Sequence, residues 1–270
     1  MVSFPPCKIN LGLHIVGKRP DGFHNIETCF YPVPWTEVLE VVPARDFSFS
    51  VSGDPVPGPA VDNLCVRAYE LLRKEFDLKP VAIHLHKMLP IGAGLGGGSA
   101  DGAYTLKTLH DIFDLSITRE AMKAYAAQLG SDCAFFVENK PVLGMGRGEV
   151  LSEVALSLKK KYLIIVKPEV EISTSTAYAG VTPRKPAIDL REIVEKHPVE
   201  AWKTLLKNDF EDHLFKQFPI IEALQQKLYA FGARYASMSG SGSAVFGIFD
   251  GARDLRKEFE TFTYWSGYLD

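Results

Sequence analysis

Apolar and polar positions alternate without a break over residues 7–17. Ile9, Leu11, Leu13 and Ile15 share one side, and Lys8, Asn10, Gly12 and His14 share the other. A period of two predicts a strand with one buried face. It sets Lys8 and Asn10 side by side on the second face, as part of a site or as an ordinary solvated surface. A Pro20-Asp21-Gly22 turn, with φ fixed at proline and free at glycine, leads to Phe23, His24 and the apolar run of residues 29–33. Phe23 and His24 suit stacking on and hydrogen bonding to a ring, or simple packing on the core.

Short strands are predicted over residues 38–42 and 47–51. The proline-rich stretch 54–59 excludes helix and central strand. A helix over 63–76 is capped by Asp62 or Asn63. Alternation returns over residues 81–89, and a helical pattern over 103–113 follows a glycine-rich stretch. Thr118 caps a further helix that Gly130 stops. Directly after it, Asp132 precedes the apolar run 133–137, as the N-cap of a short element or as a carboxylate that needs a cation. Residues 142–148 read as a turn-rich stretch, 150–154 follow, and 162–166 reads as a strand, with a domain boundary near residues 155–161. Helices are predicted over 189–196, 199–206 and 219–231, the last stopped by Gly232. The loop Ser237-Met238-Ser239-Gly240-Ser241-Gly242-Ser243 leads into a strand, which is a hairpin signal. The tail over 255–262 reads as helical. No internal repeat is visible.

Composition narrows the function classes. The 270-residue chain is 46% apolar, enough for a globular core. A net charge of −3 gives no argument for nucleic-acid binding. Cys7, Cys29, Cys65 and Cys133 are scattered without zinc spacing, as buried thiols of a reducing compartment. No apolar run reaches membrane-spanning length and no signal-peptide pattern opens the chain. A cytoplasmic protein is expected.

The candidate chemistry lies in Pro90-Ile91-Gly92-Ala93-Gly94-Leu95-Gly96-Gly97-Gly98-Ser99-Ala100. Six of the 22 glycines fall within residues 92–102, so the backbone there can turn its N–H groups on an anion, with a helix dipole behind them. Gly92, Gly94 and Gly97 fit G-x-G-x-x-G, but a second helix follows where a dinucleotide fold needs a strand. Residues 92–99 fit a Walker loop except at Gly98, which stands where that loop has its lysine. A third reading uses the loop backbone and Ser99, with charge from Mg²⁺ and a distant lysine such as Lys8.

The loop, together with Lys8-Ile9-Asn10-Leu11, residues 17–24, Asp62-Asn63-Leu64, Gly130-Ser131-Asp132 and Ser239-Gly240-Ser241-Gly242, resembles the GHMP-type small-molecule kinases in residue and order over nearly the whole chain. Residues 17–24 resemble the branch that phosphorylates a cytidine-diphosphate-linked methylerythritol in the non-mevalonate isoprenoid pathway, rather than homoserine, galactose or mevalonate kinases. The resemblance implies two α+β domains, residues 1–158 and 159–270, with the active site in the cleft between them and a left-handed βαβ unit. It implies ATP and Mg²⁺ as cofactors, with Ser99 toward the metal, and a small-molecule substrate. Lys8 and Asp132 match its catalytic pair. Asn10, Phe23, His24, Thr174 and Tyr178 match substrate-binding positions, with His24 reading the cytosine between Phe23 and Tyr178. Residues 90–100 match its ATP loop, and Asn63 and Lys87 lie near the adenine.

Two positions depart from the pattern. Phe23 replaces a tyrosine, which keeps stacking and loses a hydroxyl. Ala100 and Asp101 replace Ser-Asn, and Asp101 adds a charge placed to repel phosphate or to help hold Mg²⁺. In the expected transfer of the ATP γ-phosphoryl to a hydroxyl, Asp132 takes the proton and Lys8 stabilises charge. A lysine beside an aspartate keeps it ionised and weakens it as a base, so Asp132 is read as base or as positioning group. The rivals are a nucleotide-binding sensor, which needs no catalytic pair, and a nicotinamide oxidoreductase.

Overall fold

A computed structural model of the chain describes residues 1–269. The first half runs β1 (Val2–Ser3), β2 (Pro6–Lys18), β3 (His24–Thr36), β4 (Val38–Pro43), β5 (Ser48–Gly53), α1 (Leu64–Phe76), β6 (Val81–Lys87), α2 (Gly97–Phe113), α3 (Arg119–Leu129) and α4 (Phe135–Glu138). Then follow β7 (Val142–Met145), β8 (Val150–Glu153), β9 (Tyr162–Lys167), α5 (Thr174–Ala179), α6 (Leu190–Lys196), α7 (Trp202–Leu205), α8 (Glu211–Gln217), α9 (Pro219–Ala230), β10 (Tyr235–Met238), β11 (Val245–Phe249) and β12 (Thr263–Tyr268). Mixed strands and helices agree with the expected α+β class. None of the described helices is long and apolar enough to cross a membrane.

The chain forms two compact units that interleave in sequence rather than parting at a single cut. One holds residues 1–7, 35–91 and 96–140; the other holds 8–34, 92–95 and 141 onward. The first is built on the sheet β1-β4-β6-β5. There β5 pairs in parallel with β6 and α1 lies between them in the chain, a βαβ unit, while β4 pairs antiparallel with β6. Helices α1 and α2 pack closely: a Cβ on Gly102 would lie 3.0 Å from Leu64 Cβ.

The second unit is built on β2-β3-β7-β8 and β10-β11-β9-β12. Its apolar core gathers Leu13, Ile15, Ile164, Val166, Phe210, Leu214, Leu228 and Phe259.

Local signals set many boundaries. Asn63 caps α1 by accepting the Cys65 N–H at 2.9 Å, and Thr118 caps α3 by accepting that of Ala121 at 3.2 Å. Gly232, at φ 94°, follows α9 as expected. Three expectations need correction, and one element had none. β2 is buried on both faces as far as Ile15, because the segment 92–95 and the turn at Ser239–Gly240 cover the face that carries Lys8 and Asn10. The region 199–206 divides into a 3₁₀ turn and α7. The tail keeps only a 3₁₀ turn at Arg256–Phe259, and β12 follows, antiparallel to β9. α8 had no sequence forecast.

All four cysteines are buried, and Cys29, Cys65 and Cys133 are free thiols. Burial pushes the Cys29 and Cys133 thiols up to about 12 and raises that of Cys65 as well.

Candidate active site

The loop after β6 takes its shape from glycine. Gly92, Gly94 and Gly96 have φ of 65°, 74° and 74°, a region that side chains other than glycine enter at a cost. Left-handed residues at alternate positions turn successive N–H groups to one side, the geometry of an anion nest. Helix α2 begins at Gly97 rather than at 103, since the Ala100 N–H already bonds to Gly96 O at 2.9 Å. The N–H groups of Gly97, Gly98 and Ser99 are therefore the unpaired first turn of a 17-residue helix, at the positive end of its dipole.

A lysine from β2 reaches the loop. Lys8 is 3% exposed. Its Nζ donates to Gly94 O at 2.9 Å and to Asn10 Oδ1 at 2.5 Å, and lies 5.4 Å from the Phe30 ring centre. Asn10 Nδ2 donates to Thr28 Oγ1 at 2.9 Å, whose hydroxyl donates to Gly12 O at 2.6 Å. The amide orientation of Asn10 is thus fixed, and with it the oxygen presented to Lys8. The second glycine–serine loop meets the first at the same place. Ser239 Oγ donates to Gly94 O at 2.9 Å and accepts the Asn10 N–H at 3.3 Å, while the Ala244 N–H bonds to Ala93 O at 3.1 Å. Behind that loop, Asn208 Nδ2 donates to Met238 O and to Gly240 O, both at 2.8 Å.

The ring-binding candidates also come together. The Pro-Asp-Gly turn closes with Gly22 at φ 86° and an Arg19 N–H to Phe23 O bond of 2.8 Å. It presents Phe23 to solvent, 55% exposed, with the Arg147 guanidinium 5.1 Å from the ring centre. His24 stacks on Tyr178 at 4.8 Å and 19° between ring planes, and Tyr178 rests edge-on against Phe210 at 4.9 Å. Partial burial, with Lys18 nearby, holds the His24 imidazole below its usual value. Near neutrality the ring is then uncharged, with one nitrogen donating and the other accepting. Thr174 is exposed at the start of α5.

In the first unit, Asn63 borders a cavity of about 270 Å³ whose walls are Phe49, Val51, Val56, Pro57 and Pro59. The sequence reading saw only a breaker in residues 54–59. Lys87 is 5% exposed, and its ammonium is held by Glu37 and Asp101. Asp101 is 2% exposed, turned to Lys87 rather than free to repel or ligate. Asp132 is half-buried in the turn before α4. No side chain caps that helix, so its carboxylate is not spent as an N-cap.

Glu37, Thr28, Arg147, Asn208 and Glu211 were missed, because their partners are far away in sequence. Burial pushes the Glu211 carboxyl up to about 7 against hydrogen bonds from the Met238 N–H and Ser237 Oγ, both at 2.8 Å, and from Gln225. A carboxyl raised in the folded state stabilises it most at low pH, and that contribution fades as pH climbs from the unfolded value through about 7. Glu211→Gln keeps an accepting oxygen, so its stability relative to the wild type should rise between pH 5 and pH 8, by ~1–2 kcal/mol. Urea unfolding midpoints at the two pH values measure this, and a constant difference would contradict it.

Comparison with known proteins identifies the family. Residues 63–140 match the GHMP kinases N terminal domain and residues 190–262 match GHMP kinases C terminal. The chain is 48% identical over 254 residues to a 4-diphosphocytidyl-2-C-methyl-D-erythritol kinase of Cytophaga hutchinsonii, covering 93% of each. It is 49% identical over 265 residues to the kinase of the same name from Bacteroides fragilis, covering 96% of each. A crystal structure of 4-(cytidine 5'-diphospho)-2C-methyl-D-erythritol kinase superposes with a TM-score of 0.83 at 30% identity, over 99% of this chain and 98% of that one.

Proposed function

The chain belongs to the GHMP kinases, and within them to the 4-diphosphocytidyl-2-C-methyl-D-erythritol kinases, and from that premise we propose how its own residues carry the reaction. The enzyme phosphorylates a hydroxyl of 4-diphosphocytidyl-2-C-methyl-D-erythritol at the expense of ATP, in the non-mevalonate route to isoprenoid precursors. The observation that carries the assignment of roles is the Lys8 ammonium on Gly94 O at 2.9 Å. A glycine loop without its own lysine has one delivered by a different strand.

In this reading the N–H groups of residues 92–99 hold the ATP phosphates, and the cavity beside Asn63 takes the adenine against Val51, Val56 and Pro57. The neutral His24 donates to and accepts from the cytosine edge, and Phe23 and Tyr178 supply ring faces. Asn10 and Thr174 contact the rest of the substrate. Lys8 stabilises charge on the transferred group, and Asp132 orients the acceptor hydroxyl and takes its proton.

Mg²⁺ bound with a nucleotide keeps water and phosphate ligands and needs few protein oxygens. The chain suits that mode: the described residues contain no cluster of three His, Cys, Asp or Glu side chains placed for a metal, and Ser99 offers a hydroxyl in the first turn of α2. When bound, the metal would neutralise phosphate charge beside Ser99. The free, buried thiols of Cys29, Cys65 and Cys133 fit a cytoplasmic enzyme.

ADP release from purified protein given ATP and the cytidylate substrate tests the assignment. Release should require both compounds, and ATP binding without turnover would favour a nucleotide sensor. His24→Ala should raise KM for the cytidylate about 10- to 100-fold, the worth of one or two lost hydrogen bonds to a base, with KM for ATP unchanged. Equal rises in both would remove His24 from the cytosine site.

A further inference from the structure

Glu37, Lys87 and Asp101 place two carboxylates and one ammonium inside the first unit, each with at most 5% of its surface exposed. Burying such charges carries a large desolvation cost, and a well-packed apolar set often does as well for stability. Their positions suggest another purpose. Lys87 is the last residue of β6, and Asp101 is the fifth of α2. Between these two lies the whole phosphate loop.

Lys87 Nζ donates to Asp101 Oδ2 at 2.9 Å and forms a direct ion pair with Glu37 Oε1. Glu37, fully buried between β3 and β4, uses its other oxygen on the chain that leaves β6. Oε2 accepts the N–H of Met88 and, at 3.1 Å, that of Leu89. Oε1 also abuts the first residue of α2, since a Cβ on Gly97 would lie 3.3 Å from it. Glu37 is itself anchored through its N–H to Pro5 O at 2.8 Å. Backbone and side-chain bonds thus fasten the exit of β6, the entry of α2 and the β3–β4 junction to one cluster.

We infer that Glu37, Lys87 and Asp101 form a buried clamp that fixes the two ends of the phosphate loop, so that Lys87 is a positioning residue for ATP binding and not an ATP contact. The clamp sets the separation between Met88 and the first turn of α2. That separation decides whether the N–H groups of the loop and of the helix start converge on one polyphosphate. The inference rests on the reading of residues 92–99 as the ATP cradle. It adds Glu37 and Asp101, which touch no substrate, to the determinants of that cradle.

Steady-state kinetics on the full chain test it with three variants. Asp101→Ala removes one anchor and leaves Lys87 on Glu37; KM for ATP should rise at least ~5-fold, with kcat and KM for the cytidylate within about twofold. Asp101→Asn keeps an oxygen for Lys87 and should restore KM for ATP to within about twofold of the wild type. Lys87→Met should exceed the effect of Asp101→Ala on the same parameter if it folds by circular dichroism, and the Asp101 pair decides the matter if it does not. A wild-type KM for ATP in Asp101→Ala, or equal losses in Asp101→Ala and Asp101→Asn, would overturn the clamp. A wild-type enzyme that fails to turn over ATP would overturn the cradle reading instead.

Discussion

Asp132→Ala should lower kcat by at least ~10²-fold and leave KM for ATP within about twofold. Phosphoryl transfer leaves little covalent work to the protein, and most of the gain lies in aligning the acceptor oxygen and offsetting charge as it develops. A carboxylate that holds the acceptor hydroxyl acts on that alignment and does not contribute to nucleotide binding, so the loss should fall on kcat. Asp132 is half-buried in the turn before α4, so folding is checked beside activity. Single-turnover measurement with saturating ATP, beside a thermal melt, separates chemistry from folding. Near-wild-type turnover would remove Asp132 from the reaction. A variant that keeps kcat and loses ATP affinity would move it to the nucleotide site.

Gly94→Ala should have the second large effect, lowering kcat/KM by at least ~10²-fold and stability by about 3 kcal/mol. Two costs coincide there. The residue has φ 74°, and an added Cβ would stand 2.0 Å from Ser239 O and 2.9 Å from the Ser239 carbonyl carbon. Backbone must move, and Gly94 O is the acceptor for both Lys8 Nζ and Ser239 Oγ. Displacing it shifts the acceptor on which the Lys8 ammonium rests. Gly92→Ala is the matched control. Its φ of 65° is equally left-handed, but nothing lies within 4 Å of an added Cβ, so only the backbone term of about 1 kcal/mol applies. Activity assays and urea unfolding of the two variants side by side check this. Equal losses would mean that backbone conformation alone governs the loop.

The parts of this molecule that were legible in its sequence are those with a local cause. Asn63 and Thr118 cap their helices through bonds that span two or three residues, and Gly232 marks a stop by its own conformation. The absence of a lysine at Gly98 made Lys8 a candidate for a distant cation, and Lys8 Nζ lies on Gly94 O. Parts with a distant cause were not legible. Whether the polar side of β2 belongs to a site or faces solvent stays open in the sequence, because residues 92–95 and 239–240, which cover it, lie far along the chain. Asn208, with no exposed surface, is fixed by carbonyls 30 and 32 residues away. Glu37 reaches the Met88 N–H across 51 residues, and no local pattern announces either contact. β12 is a different kind of miss. Thr263, Tyr264, Trp265 and Tyr268 have strong strand preference, and the sequence reading stops at residue 262, one position short of β12.

The four enclosed thiols make the native chain a quiet background for covalent labelling. Thiolate is the species that attacks an electrophile, and thiols pushed up to about 12 at Cys29 and Cys133 hold almost none of it at neutral pH. A cysteine introduced at the exposed Phe23 would carry a fluorophore at the edge of the proposed cytosine site without prior removal of the native four. The native four would become labels of another kind, since each reacts only when the fold around it opens, and their rates of modification would time that opening at four separate places in the chain.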